Sequence, residues 1–184
     1  MISESQSAPS LSIRPATADD IPRLVPMINS AYTVETFLEG TRTDPTRLAD
    51  EMRHGELLIA EDPTGQLIGC IYTEVRSAAQ ANGAHEDNSL SDKIAPRGYL
   101  GMLAVDPAHQ RSHYGRTLIH AGEDHLRRRG CVAADLDVIS WRTELPPIYR
   151  RYGFVDVGIK DFNPGQPVKQ PGLQCRAILM SKPL

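Results

Sequence analysis

The spacing of apolar residues along the chain predicts helices and strands in a definite order. Residues 11–14 alternate between apolar and polar side chains, as a first strand does. Apolar residues at positions 21, 24, 25 and 28 then follow helical spacing, and residues 17–20 before them resemble a capping box. A second helix is predicted from residue 45, because Asp44 can cap it, Pro45 suits its first position and Gly55 suits its exit.

Two strands, a long polar connection and a central strand come next. Residues 56–61 and 66–75 are predicted strands joined by a tight Pro-Thr-Gly turn. Residues 77–96 are polar, and a connection of this length inside a domain is usually functional or disordered. Residues 98–105 form a nearly continuous apolar run, which is typical of a central strand.

The second half of the chain predicts a helix between two parallel strands. An apolar helical stripe runs from about residue 114 to 129 and ends at Gly130, and a strand follows over 131–139. Such a unit implies a parallel pair with a right-handed crossover. A short helix over 143–152 and strands over 154–159 and 173–180 complete the chain. We therefore expect an α/β fold whose mixed, mostly antiparallel central sheet has a parallel pair at its centre and about four flanking helices.

Composition and charge narrow the class of protein. The 184 residues include 20 Lys plus Arg and 23 Asp plus Glu, a net charge of −3, whereas domains that bind nucleic acid through bulk charge usually have a basic excess. No apolar run is long enough for a membrane span, and the first residues lack a secretory signal. Three widely spaced cysteines indicate buried free thiols in a reducing cytoplasm (Cys70, Cys131 and Cys175). We expect a disordered tail over 1–10 and a single cytoplasmic domain over 11–184 that binds neither nucleic acid nor membrane.

The turn between the central strand and its helix has the chemistry of an anion site. Backbone N–H groups at a helix start point outward, the helix dipole adds positive charge, and Arg111 and Arg116 supply full charges. This arrangement suits a pyrophosphate, although a capped turn with solvated arginines would show the same pattern. The P-loop and dinucleotide-binding glycine motifs are both missing from the sequence, which argues against a P-loop NTPase and a Rossmann unit.

Two segments resemble the GNAT acyl-CoA N-acetyltransferases. Val105-Asp-Pro followed by Gln110-Arg-Ser-His-Tyr-Gly115 is similar to motif A of that family, in which Gln or Arg is followed three and five residues later by small residues. The segment from Arg142 to Phe154 is similar to the family's last-helix signature. The predicted element order also agrees, so the resemblance covers nearly all of residues 11–181. His113 stands where the family has the first glycine of motif A, a residue that lets the backbone approach a pyrophosphate without a Cβ.

The resemblance implies acetyl-CoA as co-substrate and transfer of its acetyl group to a primary amine by direct attack. The pantetheine arm would pair with the backbone of Leu103, Ala104 and Val105. The pyrophosphate would lie on the residues of the turn (Gln110, Arg111, Ser112, His113, Tyr114, Gly115 and Arg116). Tyr149 would protonate the departing thiolate, a task that suits a phenol because its ordinary pKa of about 10 is close to that of a thiol. The alternative for Tyr149 is a core aromatic, since it lies on the apolar stripe of its helix.

A base for the amine is less clearly indicated. Glu74 at the end of its strand and Asp137 in the strand after motif A are the best-placed carboxylates, and each could instead be a solvated side chain. His120 and His125 are five residues apart and lie on different helix faces, so the sequence predicts no metal site.

The acceptor is expected to be a small-molecule or peptide amine. Residues 31–43 and the 77–96 connection should line its side of the site, and their acids are compatible with a cationic amine (Glu35, Glu39, Glu86 and Asp87). A non-catalytic acyl-CoA-binding module of the same fold is the alternative function, motivated by His113. The sequence leaves open whether the protein forms a homodimer.

Overall fold

The structure, a computed structural model, describes residues 11–77, 95–110, 112–162, 166–169 and 174–184. The predicted tail and most of the 77–96 connection, including Glu86 and Asp87, lie outside the described residues. Those two predictions and the single-domain boundary therefore stay predictions. Within the described part of the chain, no helix is both long and apolar enough to cross a membrane.

Within the described residues, seven strands and four α-helices form in the predicted order. The strands are β1 (Ser12–Pro15), β2 (Glu56–Glu61), β3 (Leu67–Arg76), β4 (Arg97–Val105), β5 (Ala133–Ile139), β6 (Val155–Asp161) and β7 (Arg176–Pro183). The helices are α1 (Ile21–Ala31), α2 (Pro45–His54), α3 (Tyr114–Arg128) and α4 (Leu145–Arg151).

Local signals in the sequence account for the starts of α1 and α2. Thr17 and Asp20 form the predicted capping box around a single 3-10 turn that leads into α1. Asp44 accepts hydrogen bonds from the backbone N–H groups of Thr46 and Arg47 at 2.9 and 3.0 Å, as expected for the cap of α2. The three cysteines are buried and unpaired, as predicted.

The largest boundary error concerns the last strand. It was expected over 173–180, but β7 extends from Arg176 to Pro183. Both of its edges are paired, because Ala133 of β5 lies opposite Pro183 and Val155 of β6 lies opposite Ser181. Ladder pairing on both sides thus holds the polar end of this segment in the sheet, a tertiary effect that apolar patterning does not reveal.

The sheet has the order β1-β2-β3-β4-β5-β7-β6, and only the β4–β5 contact is parallel. This confirms the predicted mixed sheet with a central parallel pair. One apolar cluster joins the sheet to α3 and contacts α4, and a second joins its opposite face to α1 and α2. The sheet therefore separates an α3/α4 face from an α1/α2 face.

The parallel pair is short and is held at one end by buried charge. Only Gly98 and Tyr99 of β4 pair with β5, opposite Ala134 and Asp135. Here the Arg97 guanidinium donates to both carboxylate oxygens of Asp135 at 3.0 and 2.6 Å, and also to the Ser181 hydroxyl at 2.6 Å. Three adjacent strands are therefore tied together where β4 and β5 meet.

Beyond that point a bulge separates the two strands. Met102 has a positive φ of 42°, and the β3–β4 register shifts between the pairs Cys70–Ala104 and Tyr72–Gly101. Leu100 packs into the α3/α4 cluster whereas Met102, two residues later, packs into the α1/α2 cluster. In a regular strand these two side chains would share a face. The bulge bends β4. Beyond Tyr99, the described residues of β4 and β5 do not pair with each other.

The buried ion pair between Arg97 and Asp135 should contribute strongly to the stability of the fold. Replacing Asp135 with Asn should lower the free energy of unfolding by about 3 kcal/mol, because the Arg97 guanidinium would keep its charge in this buried position while losing the carboxylate that accepts two of its hydrogen bonds. Urea denaturation monitored by circular dichroism measures this change.

Asp156→Asn is the matched control, because Asp156 accepts from Arg150 with the same two-bond geometry while 42% of its side chain is exposed, against 2% for Asp135. That variant should unfold close to wild type. An equal decrease in the free energy of unfolding of the two variants would show that burial does not increase the contribution of the Asp135 ion pair.

Candidate active site

The gap between β4 and β5 opens into a cavity of about 530 Å³. The middle of the cavity is formed by residues of β4 and β5 that lie beyond the last pair shared by the two strands (Leu103, Val105, Leu136, Asp137 and Val138). Residues of α3 and α4 line it on one face of the sheet (Gly115, Arg116, Ile119, Leu145, Tyr149 and Tyr152). Residues of the α1/α2 face complete it (Tyr32, Glu35, Leu38, Arg42 and Tyr99). The cavity thus connects the two faces of the sheet through the parted strands.

The turn from β4 to α3 supplies the polar end of the cavity on the α3/α4 face. The Asp106 carboxylate accepts from the Ala108 N–H at 2.8 Å, and the Gln110 side chain donates to the Val105 carbonyl at 3.3 Å. No side chain caps the N-terminus of α3. The N–H groups of its first turn therefore have no intrahelical acceptor and are available to an anion.

Glycine and histidine in this turn have different roles in the backbone. His113 adopts the left-handed conformation, with φ 61° and ψ 5°, which explains why a glycine suits this position. A Cβ added at Gly115 would meet only the Val105 side chain, at 3.9 Å. Gly115 therefore leaves open space beside the first turn of α3, as a bound phosphate group would require.

Most of the residues predicted to bind the cofactor lie on this cavity. Seven of them line it (Leu103, Val105, Gln110, His113, Tyr114, Gly115 and Arg116). Ala104 instead packs into the α1/α2 cluster, and Ser112 is exposed away from the cavity lining. Arg111 lies outside the described residues.

Three tyrosines from different elements converge on the cavity. Tyr149 of α4, Tyr99 of β4 and Tyr32 after α1 all line it, and desolvation raises the pKa of each phenol above its ordinary value. The Tyr149 ring packs edge-on against Phe154, with 6.0 Å between ring centroids. Because of the raised pKa, the Tyr149 hydroxyl keeps its proton at neutral pH and is a donor, not a base.

The two carboxylates considered as bases occupy different environments. Asp137 lines the cavity from β5 and pairs with Lys160 at 2.7 Å. Glu74 is not part of the cavity wall; it accepts from Arg76 at 2.9 and 3.0 Å, and that guanidinium lies over the Tyr99 ring. The structure therefore places Asp137, but not Glu74, on the cavity that Tyr149 also lines.

The connection between α1 and α2 forms the outer wall on the α1/α2 face. Glu35 there pairs with Arg142 at 3.0 Å, and burial raises the pKa of the Glu35 carboxyl. The Gln166 side chain donates to the carbonyls of Glu39 and Thr41 at 3.1 and 2.7 Å, which fastens the 37–41 segment to the β6–β7 connection. Of the acids predicted for this wall, Glu35 lines the cavity and Glu39 does not.

Three residues of this wall were not predicted from the sequence to be part of it: Arg42, Arg142 and Gln166. The segment that contains Arg42 was expected to face the acceptor, but its irregular backbone has no periodicity from which a side-chain direction could be read. A second cavity, of about 400 Å³, lies on the other side of this wall and shares five residues with the first (Tyr32, Glu35, Leu38, Arg42 and Gln166).

The histidines on α3 make local contacts. His120 accepts a hydrogen bond from Arg116 at 3.2 Å, and His125 lies 3.4 Å from the Glu56 carboxylate. Across the described residues, no group of three or more potential ligand side chains could hold a metal ion.

Comparison with known proteins identifies the family. Residues 24–154 match the Acetyltransferase (GNAT) family. A mycothiol acetyltransferase from Propionibacterium freudenreichii subsp. shermanii is 33% identical over 159 residues, which are 82% of this chain and 45% of that protein. A mycothiol acetyltransferase from Cellulomonas flavigena is 31% identical over 105 residues, 57% of this chain and 28% of that protein. The chain thus spans less than half the length of these curated relatives.

Solved structures share the fold at low sequence identity. Arabidopsis thaliana NAA60 in complex with acetyl-CoA has a TM-score of 0.74 at 16% identity, over 95% of this chain and 99% of that one. A ribosomal-protein-alanine N-acetyltransferase from Brucella melitensis has a TM-score of 0.65 at 20% identity, over 94% and 99% of the two chains. The chain belongs to the acetyltransferase (GNAT) family, as the resemblance in its sequence predicted.

The left-handed backbone at His113 predicts that glycine is the better residue there. His113→Gly should raise the free energy of unfolding by about 1 kcal/mol, because it removes the Cβ that disfavours this conformation. Urea denaturation of the variant beside His113→Ala separates backbone from side-chain effects, since alanine keeps the Cβ and should give no gain. A glycine variant less stable than wild type would mean that the imidazole supports the start of α3.

Proposed function

We propose that this protein is an acetyl-CoA-dependent N-acetyltransferase that moves an acetyl group to a primary amine by direct attack in a ternary complex. The observation that carries the proposal is the cavity through the sheet between β4 and β5. An uncapped helix start lies at its end on one face, and charged side chains from the α1–α2 connection lie at its end on the other. Two substrates could therefore enter from opposite faces and meet between the strands.

The residues on the α3/α4 face fit acetyl-CoA. The edge of β4 beyond Tyr99 is not used by β5, so Leu103 and Val105 can offer backbone hydrogen bonds to the amide groups of the pantetheine arm. The first turn of α3, the open space beside Gly115 and the Arg116 guanidinium suit the pyrophosphate. Acetyl-CoA would supply the acyl thioester, an activated form of the acetyl group.

The proposed reaction makes one bond and breaks another. The amine nitrogen bonds to the acetyl carbon, and the bond from that carbon to sulfur breaks. The amine loses one proton, and the sulfur leaves as a thiolate that takes up one proton. The site must therefore align the two substrates and provide a proton acceptor near the amine and a donor near the sulfur.

Tyr149 is the proposed proton donor. It lies on the face of the sheet where acetyl-CoA would bind, and its phenol remains protonated in this desolvated position. Donation to the thiolate would prevent the sulfur from attacking the new amide.

Asp137 is the proposed acceptor of the amine proton, directly or through a water molecule. It belongs to β5 beside the gap and is only 8% exposed. It pairs with the Lys160 ammonium at 2.7 Å, and its carboxylate oxygens are the atoms that would accept the proton. The earlier prediction of Glu74 as the base stays a prediction that the cavity wall does not support.

Catalysis is favoured over a module that only binds acyl-CoA. A binding module needs no opening towards the face opposite the cofactor, yet the cavity continues past Asp137 to Arg42. The relatives named as acetyltransferases agree with this preference.

Release of free CoA in the presence of a panel of amines tests the proposal, with melting temperature as a second measurement. Acetyl-CoA at 100 times its dissociation constant should add about 2.7 kcal/mol of stability, and NAD or ATP should add none. Stabilisation by acetyl-CoA without CoA release for any amine would support the binding module instead. An unchanged melting temperature in millimolar acetyl-CoA would exclude both functions.

The proposed role of Tyr149 predicts a loss of rate without a loss of fold. Tyr149→Phe removes the hydroxyl and keeps the ring contact with Phe154, so kcat should fall roughly 100-fold while the affinity for acetyl-CoA is retained. Steady-state kinetics and a thermal melt on the same preparation measure both quantities. An unchanged kcat with a lower melting temperature would make Tyr149 a structural residue.

The two candidate bases are separated by a matched pair of substitutions. Asp137→Asn should lower kcat by roughly 100-fold, because the amide cannot accept the amine proton. Glu74→Gln removes the same charge outside the cavity wall and should leave kcat within about a factor of two of wild type, because that carboxylate does not border the space where the amine would lie. The reverse ranking in steady-state assays would restore Glu74 as the base.

A further inference from the structure

One cation on the acceptor side of the cavity has no carboxylate partner. Arg42 follows the segment 37–41 and lines both cavities on the α1/α2 face. Its guanidinium lies over the Tyr32 ring, 5.2 Å from the ring centre, and it forms no ion pair with a carboxylate of any described residue. A guanidinium has five N–H donors, and Tyr32, which is both its ring neighbour and a hydrogen-bond partner, leaves most of them unused.

The other charges of this wall are already paired. Glu35 and Glu144 both accept from Arg142, at 3.0 and 2.6 Å. Asp137 pairs with Lys160. Arg42 therefore lines this side of the cavity without a direct ion pair, because Glu35 and Glu51 act on it only at longer range, so a ligand anion can bind its guanidinium directly.

The anion that acetyl-CoA carries would lie elsewhere. The helix start proposed for the pyrophosphate belongs to α3, on the opposite face of the sheet from Tyr32 and the α1/α2 cluster. Arg42 is thus separated from the phosphate end of the cofactor by the sheet itself, and its partner belongs to the acceptor.

We propose that the acceptor amine carries an anionic group, a carboxylate or a phosphate, which Arg42 binds while the amine lies towards Asp137. The substrate class is therefore an amphoteric small molecule, such as an amino acid or a phosphorylated amine, and not a purely cationic amine. This inference rests on the proposed acetyl transfer and specifies its acceptor.

The surroundings of Arg42 favour this function over a structural one. The segment that carries it is held without its help: the Asn29 side chain bonds both backbone polar groups of Thr43, at 2.9 and 3.0 Å. Gln166 fixes the carbonyls of Glu39 and Thr41. The guanidinium is thus presented by a backbone that is anchored on both sides of it, which is the preorganisation that a binding group needs.

Matched acceptors that differ in one anionic group test the inference. Leucine is compared with 3-methylbutylamine, methionine with 3-(methylthio)propylamine, and O-phosphoethanolamine with ethanolamine. For wild type, kcat/KM should be at least about 10-fold higher for the anionic member of one or more pairs, since a hydrogen bond to a charged group contributes about 1.5–3 kcal/mol. The amino-acid and phosphate pairs show which anion is preferred.

Substitution of Arg42 should remove this preference specifically. Arg42→Gln should lower kcat/KM for the acceptor with the anionic group by roughly 10- to 100-fold, mainly through KM, and leave the amine without that group nearly unaffected. Arg42→Lys should recover part of the loss, since lysine keeps the charge but not the fork geometry. Arg47→Gln is the control, because Arg47 is exposed on α2 and pairs with Asp44 outside both cavities.

A binding measurement separates this inference from the proposed function. Titration of each acceptor into the protein saturated with CoA should show tighter binding of the anionic member, lost in Arg42→Gln, whether or not acetyl transfer occurs. Such binding without turnover would refute the acetyltransferase and keep the Arg42 site. Turnover of acceptors with and without the anionic group at equal efficiency, unchanged in Arg42→Gln, would overturn the inference and keep the acetyltransferase. Neither binding nor turnover would overturn both.

Discussion

The buried ion pair between Arg97 and Asp135 is the interaction on which the site depends. It fixes β4 and β5 side by side at one end of their contact, and Ser181 of β7 joins them there. The bulge at Met102 then separates the strands at the other end. A sheet paired along its full length would have no passage from one face to the other. The cavity exists because two central strands are held together at one end only.

This passage divides the proposed chemistry between two faces. The phosphate end of acetyl-CoA needs positive potential, which the start of α3 and Arg116 provide on the α3/α4 face. The acceptor needs a group that takes the proton of its amine and a group that distinguishes it from other amines. Asp137 and Arg42, the residues proposed for these two roles, lie towards the α1/α2 face. Tyr149 packs against the α3/α4 cluster. Each substrate therefore contacts its own set of charged groups, and the two substrates meet only in the gap between β4 and β5.

Sequence patterns were sufficient for the element order and for the family, because these depend on local signals. The cap at Asp44, the helix end at Gly130 and the spacing of motif A are all contained in short segments. The bulge also had a local sign, since Gly101 interrupts a continuous apolar strand just before Met102. A bulge cannot be placed to the residue without the register of the neighbouring strand.

Sequence patterns leave undetermined the side chains whose direction depends on that register. Glu74 and Asp137 are equally plausible bases in the sequence, but Glu74 faces Arg76 and Tyr99 whereas Asp137 borders the gap. Arg97 and Asp135 are 38 residues apart, and no motif links them. Arg42 lies in a segment without periodicity, where pattern analysis gives no facing direction. Long-range pairing, not local propensity, decides all three cases.

Amide hydrogen exchange with and without acetyl-CoA tests whether the edges of β4 and β5, beyond their last shared pair, receive the acyl donor. Acetyl-CoA should slow exchange at residues 101–105 and 113–116, with no change along β6 at the far edge of the sheet. Unchanged exchange at 101–105 in protein saturated with acetyl-CoA would contradict binding between these strands, because the cofactor would then bind outside the gap.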